Sequence, residues 1–211
     1  MIKWRGEDSN EIEESRYTIP SGIFSKAVVF PTVPTVASSS RTSNLSNGDQ
    51  KLYEFTVRAG DEGDIFLGTA TLQFTTGGSV DVDNVEIRRG QRVVAGGSTF
   101  DNMQTVGQQA FEFTNPEDIP AGTTVTYSVY GSITTTTTND SVVVRLLPDT
   151  TASNQVGRAV TAARSGSSFV WSPQTDDDYD RTDARNAANT DWFNGWSVFE
   201  STDVDSWTSE R

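Results

Sequence analysis

The chain has 211 residues, enough for one domain with appendages or two small ones, and a globule of that size hides roughly 70% of its unfolded surface without needing staples. It has no cysteine and no histidine, which excludes disulfides, thiolate nucleophiles, Cys-ligated metals, the Ser-His-Asp triad and imidazole metal sites. With 16 Lys and Arg against 29 Asp and Glu, its formal charge of -13 repels phosphate backbones and anionic lipids and speaks against nucleic-acid and membrane-surface partners.

Residues 1–16, "MIKWRGEDSNEIEESR", are charged and without period, and read as a flexible acidic tail. They lack the apolar core of a signal peptide, so either the protein is made without a secretion signal or the chain is a fragment of a longer precursor, the reading favoured here. No apolar run approaches the ~20 residues that cross a bilayer, so no membrane insertion is expected. Residues 17–50 read as an extended apolar strand plus linker. Ile23 to Val29 is apolar, Pro31 and Pro34 forbid helix and favour an edge-like path, and "SSSRTSNLSNGDQ" is a linker by composition.

From 51 to 200 the punctuation is that of an all-β sandwich domain. "KLYEFTVRA" (51–59) sets Tyr53, Phe55 and Val57 on one face and Glu54, Thr56 and Arg58 on the other, the period of a half-buried strand. "IFLGTATLQFTT" predicts Phe66, Ala70, Leu72 and Phe74 inward, and "VDVDNVEIRRGQRVVAGG" a strand pair about Arg89-Gly90-Gln91 with Val85 and Ile87 answering Val93. "QQAFEFTN", "TVTYSVYGSI" with Val125, Tyr127 and Val129 inward, and "SVVVRLLPD" are further strands, at the spacing of a sandwich or barrel. "FVWS" alternates Phe169 and Trp171 onto one face. "DWFNGWSVF" has an Asn-Gly turn between aromatic pairs, the signature of a closing hairpin that buries Trp171 and Trp196. Residues 201–211 read as a C-terminal tail.

The ordered motifs "PTVAS", "LSNGDQKLYEFTVRAGDEGDIFLGTATLQFT", "VEIRRGQRVVAGG", "IPAGTTVTYSVYGSI", "DSVVVRLLPDT", "FVWSP" and "DWFNGW" resemble a repeat module of large surface proteins of ultrasmall candidate-phylum bacteria. The resemblance spans residues 33–199. It implies a secreted, immunoglobulin-like antiparallel β-sandwich with an extended N-terminal strand, used in tandem at the cell surface, and it offers no catalytic residues to carry over. In that family a strand like Ile23 to Phe30 commonly closes the preceding module, and residues 1–22 hold no such module.

That apolar strand has two readings. It pairs with the edge of its own domain, or it adds to the open edge of a neighbouring copy, offering Ile23, Ala27, Val29 and Val33 to pockets there. Head-to-tail repetition of the second contact makes a homopolymer. The expected function is therefore an extracellular structural subunit of a filament, pilus-like fibre or S-layer, with no enzymatic activity and no cofactor. The competing classes are a glycan-binding adhesin stacking sugars on Trp171, Tyr179, Trp192 and Trp196, and a virion decoration protein.

Asp81, Asp83 and Asn84, and the run Asp176, Asp177, Asp178, Asp180 and Asp183, carry enough oxygens to suggest Ca²⁺, with Asp176, Asp178, Asp180 and Asp183 as the candidate ligands. Neither run has the EF-hand glycine and glutamate, so a solvated acidic loop is the first reading. Thr134 to Thr138 is a candidate O-glycosylation tract, and Asn44-Leu45-Ser46 and Asn139-Asp140-Ser141 match the N-glycosylation sequon, though a loop or strand end is the simpler account. A solvated acidic loop predicts identical melting curves in Ca²⁺ and in EDTA; a melting temperature raised by Ca²⁺ in the native chain but not in Asp178→Asn/Asp180→Asn assigns the metal to the 176–183 loop.

Overall fold

A computed structural model describes residues 2–4, 13–15, 32–38, 41–97, 107–135, 137–147, 169–173, 193–194 and 207–210. Among the described residues there is no helix, and the strands build an all-β sandwich of two sheets beside one separate ribbon. That ribbon is β1 (Ile2–Trp4) paired antiparallel with β2 (Glu13–Ser15), so part of the stretch expected to be a flexible tail is strand. Strands of three residues are too short to display a period.

β3 (Thr35–Ser38) runs along the edge of the first sheet, and after residues 39–40 the chain crosses to the second sheet as β4 (Arg41–Asn44). β5 (Gly48–Arg58) returns to the first sheet and β6 (Ile65–Gly77) to the second. The hairpin β7 (Asp81–Arg89) and β8 (Arg92–Gly96) extends the first, β9 (Gly107–Ile119) flanks β6, and β10 (Thr124–Thr134) lies between β5 and β7. β11 (Ser141–Leu146), β12 (Phe169–Ser172), β13 (Phe193–Asn194) and β14 (Trp207–Glu210) complete the second sheet.

The first sheet therefore reads β3-β5-β10-β7-β8, and the second carries β6, β11 and β14 side by side with β4 parallel to β14. Taking β3 and β4 as one kinked first strand, these are the A-B-E-D and C-F-G orders of an immunoglobulin-like sandwich, with β8 and β9 as additions. Two expectations are corrected. β4 lies within the supposed linker, and β14 lies within the supposed C-terminal tail. Both are short and polar, joined by main-chain pairing and by the Ser43 and Ser209 hydroxyls at 2.8 Å, so neither shows an apolar pattern.

The core lies between the sheets, and its aromatic centre is Phe55 stacked on Tyr127 (centroids 5.3 Å apart), with Phe113 meeting Tyr127 edge-on at 5.7 Å. Tyr53, Phe55 and Val57 point inward as their spacing predicts, and so do Val125, Tyr127 and Val129. Elsewhere β-bulges shift the alternation. In β6, Gly68 pairs with neither neighbour, since Leu67 faces Glu117 and Trp171 while Thr69 faces Glu112 and Val170. Ile65 and Leu67 therefore enter the core before the bulge and Ala70, Leu72 and Phe74 after it, while Phe66 is buried outside the core cluster instead of lining it.

The same device acts across β10. Leu52 is the extra residue between Tyr53 and Lys51 in the β5 register, and both Leu52 and Tyr53 are buried. Asn84 adopts a left-handed φ of 50° at the β7 bulge, so Val82 and Val85 both point inward although three positions apart. Gly131 lies opposite this bulge, and a Cβ there would stand 2.9 Å from Leu52 Cδ1 and 3.1 Å from Val82 Cγ1. A bulge at Val94 also corrects the β7–β8 expectation: Val93 pairs with Arg88 and is 46% exposed, while Val94 is the residue that turns in.

Trp171 is 1% exposed, flanked by Phe169 and Val170 in a β12 with no exposed position. Phe193 and Asn194 pair with Trp171 and Val170, so the first half of the "DWFNGW" motif adds a strand to β12. The hairpin expected across Asn194-Gly195, together with Trp196, lies outside the described residues. Truncating the largest fully buried side chain leaves a cavity that rigid sheets cannot close, so Trp171→Ala is expected to lower stability by about 3–5 kcal/mol. Urea unfolding measures this, and a loss under about 1 kcal/mol contradicts the packing described.

Candidate functional site

Gly90 turns the β7–β8 hairpin with a φ of 62°, which makes Arg89 and Arg92 a directly opposed cross-strand pair. Like charges in that position repel unless an anion lies between them. The anion is Glu117, carried by β9 on the other sheet and 3% exposed. Arg92 Nη2 donates to Glu117 Oε1 at 2.7 Å and Oε2 at 2.8 Å, and Arg89 Nη1 donates to Oε2 at 3.0 Å and to the Asp118 carbonyl at 3.1 Å. The cluster latches the free edges of the two sheets together.

An open cleft of about 360 Å³ lies over the latch, lined by Arg89, Arg92, Asn115, Pro116, Glu117 and Asp118. The Tyr127 hydroxyl is buried without a hydrogen-bond partner. Its pKa is pushed far up, first by burial and then by the Glu117 carboxylate, so the phenol stays neutral at any pH the fold survives. With both Glu117 oxygens committed to guanidinium donors, the arrangement is suited to holding sheets in register.

A second cluster closes the other end of the sandwich. Asp140, 1% exposed, accepts from the Ser79 N–H at 2.7 Å, the Thr137 N–H at 3.0 Å and hydroxyl at 2.7 Å, and the Thr135 hydroxyl at 2.7 Å. The Thr135 N–H in turn donates to Asn47 Oδ1 at 2.7 Å. The hydrogen bond from the Thr137 hydroxyl, then those from the Ser79 and Thr137 backbone amides, hold the Asp140 carboxyl well below the usual carboxylate range. The threonine tract is thus tied by a buried carboxylate to the turn between β6 and β7. On the outer face of the first sheet, Arg88 lies 4.0 Å above the Tyr130 ring and pairs with Glu86 and with Asp49 at 3.1 Å.

The residues singled out from sequence are distributed differently. Trp171 presents no face to a sugar, which removes it as a stacking residue, while Tyr179, Trp192 and Trp196 lie outside the described residues. Asp176, Asp178, Asp180 and Asp183 also lie outside them, and among the described residues no group of three or more acidic side chains is placed to hold a metal. Asp81 and Asp83 are strand residues of β7, facing Thr134 and Ser132 of β10. Ile23, Ala27 and Val29 lie outside the described residues, and Val33 is 39% exposed. Residues 35–38 pair with β5 of the same chain.

Neither Glu117 nor Asp140 stood out in the sequence. The available signal was the pair of arginines bracketing a two-residue turn, which asks for an anion, and an aspartate two residues after a threonine tract, which invites local hydrogen bonds. Comparison with protein-family models and with curated proteins returns no match.

Removing both arginines strands a buried carboxylate, so Arg89→Ala/Arg92→Ala is expected to cost about 3 kcal/mol in chemical denaturation, more than Glu117→Gln, which leaves two partly exposed cations to water. The sign for Asp140 follows from its lowered folded pKa. Its contribution is complete above the unfolded value of about 4 and is lost as pH falls through the folded value. Asp140→Asn is therefore expected to melt lower than wild type at neutral pH and to lose less stability on acidification below pH ~4; parallel acid limbs for the two proteins contradict the clasp.

Proposed function

We propose that this protein is an architectural subunit of an extracellular cell-surface assembly, a filament, pilus-like fibre or S-layer, whose copies join by β-strand addition and which performs no catalysis. The observation that carries this reading is the position of β3. It lies at the edge of the first sheet, held by β5 through four residue pairs, with Val36 partly packed on the core and Thr35 and Ala37 exposed. The sequence leading into that edge is the apolar stretch Ile23 to Phe30.

An edge strand is where another chain's main chain can add, and an extended segment with alternating apolar side chains is what adds there. The donor is the N-terminal segment with Ile23, Ala27, Val29 and Val33, and a neighbouring copy is the acceptor. A contact between unlike surfaces does not close on itself and propagates as a fibre or sheet. The likeness to a tandem surface module and the acidic composition agree with this role.

Deleting residues 1–31 tests the donor while leaving β3 and its Val36 contact intact. The full chain is expected to form filaments or sheets in negative-stain microscopy, and the shortened chain to form none while keeping its melting temperature. Filaments or sheets that persist after the deletion rule out the N-terminal donor, and a full chain that stays monomeric at every concentration rules out the reading as a whole.

A further inference from the structure

β11 and β12 are two pieces of one strand. β11 runs antiparallel along β6 with Ser141 opposite Gly77 and Leu146 opposite Leu72. The Leu147 N–H then donates to the Thr71 carbonyl at 2.9 Å. The next position on β6, Ala70, is taken by Phe169, and β12 continues down to Ser172 opposite Phe66. The ladder is continuous, yet 21 residues, 148–168, separate Leu147 from Phe169 where none is needed.

We infer that this spare length serves exchange between copies: the C-terminal segment beginning at β12, with β13 and β14, is donated to the sandwich of a second copy, occupying on it the positions it occupies at home. The inference rests on the reading that copies join by their strands, but not on whether the N-terminal segment is a donor. Its physical basis is linkage. Were Leu147 joined directly to Phe169, β12 would have to follow β11 along the same β6. A connection of 21 residues spans up to about 70 Å when extended, enough to reach a neighbour. Tethering through a connection of such length sets, in general, an effective concentration on the order of millimolar, which neighbouring copies packed in an assembly can match.

The exchanged contacts are the same in either form, so exchange leaves the core intact and costs only association and linker entropy. What is transferred is substantial. Phe169, Val170, Trp171 and Ser172 are each at most 1% exposed, and β14 lies between β11 and β4 with Ser209 buried. A copy lacking this segment has an open β6 edge, an open β11 edge and an unfilled core, so the donated segment both completes one copy and ties it to the next.

The absence of native cysteine makes the test direct. Thr69 and Val170 are an opposed pair, both fully buried, and antiparallel neighbours lie within the Cα separation a disulfide accepts. Full-length Thr69→Cys and Val170→Cys chains, carrying distinguishable tags, are co-refolded at about 1 mM and oxidised. Exchange yields disulfide-linked pairs of one chain of each kind and none of a chain with its own kind, and the pairs disappear when both variants carry a deletion of 148–168 that joins Leu147 to Phe169. Thermal melting of the deleted chains confirms that they fold; should they not, the pairing of the full-length variants decides alone.

Assemblies that form without mixed disulfides overturn the exchange and leave strand addition at the N-terminus standing. Monomers throughout overturn both.

Discussion

β6 is buried along both faces from Ile65 to Leu72, so its amides and carbonyls have no water to turn to and must be met by neighbouring strands. β9 meets one edge, and β11 with β12 meets the other. The rest of the second sheet follows from that requirement. β11 in this position offers its outer edge to β14, and β14 offers its own to β4, which arrives parallel because the chain has just left the first sheet along β3 without reversing. A polar segment such as Trp207–Glu210 needs no hydrophobic pattern to hold its place, since its hydrogen bonds are made to partners already positioned.

The second requirement is to keep two twisted sheets facing one another while the strands between them carry bulges. Gly68, Asn84 and the Leu52 irregularity each move the side chains beyond them to the opposite face, so a residue pattern that is not strictly alternating becomes one continuous core. At the margin where β8 passes β9 no main chain pairs between the sheets among the described residues, and Glu117 between Arg89 and Arg92 holds that side with charge-assisted bonds. Asp140 closes the loop end by collecting four donors on one carboxylate. Both carboxylates satisfy groups that would otherwise be unpaired near the core, and their value to the fold is geometric as much as energetic.

Strand pairing, which builds the monomer, is also the chemistry proposed above for joining one copy to another. With β3 at a sheet edge and the β11–β12 ladder interrupted by 21 residues, the proposed role has two places where a neighbour's main chain would take over from the chain's own. Neither place needs a pocket, a cofactor or a reactive side chain. The proposed architectural role therefore draws on the same interactions that hold the core together, and its specificity lies in register and in which side chains alternate inward.

The class of the fold and much of its core could be read from residue order alone. Tyr53, Phe55 and Val57, Val125, Tyr127 and Val129, and the pairing of Phe169 with Trp171 on buried β12 were legible because period-two alternation with large side chains has one economical reading, a half-buried strand. Where the alternation slips depends on the folded arrangement of the strands. That Ile65 and Leu67 rather than Phe66 line the core, and that Val94 rather than Val93 turns inward, depends on bulges set by partner strands distant in sequence. The same holds for β4 and β14, whose existence depends on an edge being open to them, and for Glu117 and Asp140, whose burial follows from what surrounds them. Local spacing records the side-chain period of one strand; register, sheet membership and the burial of a charge are relations between strands, and they appear only when the chain is closed on itself.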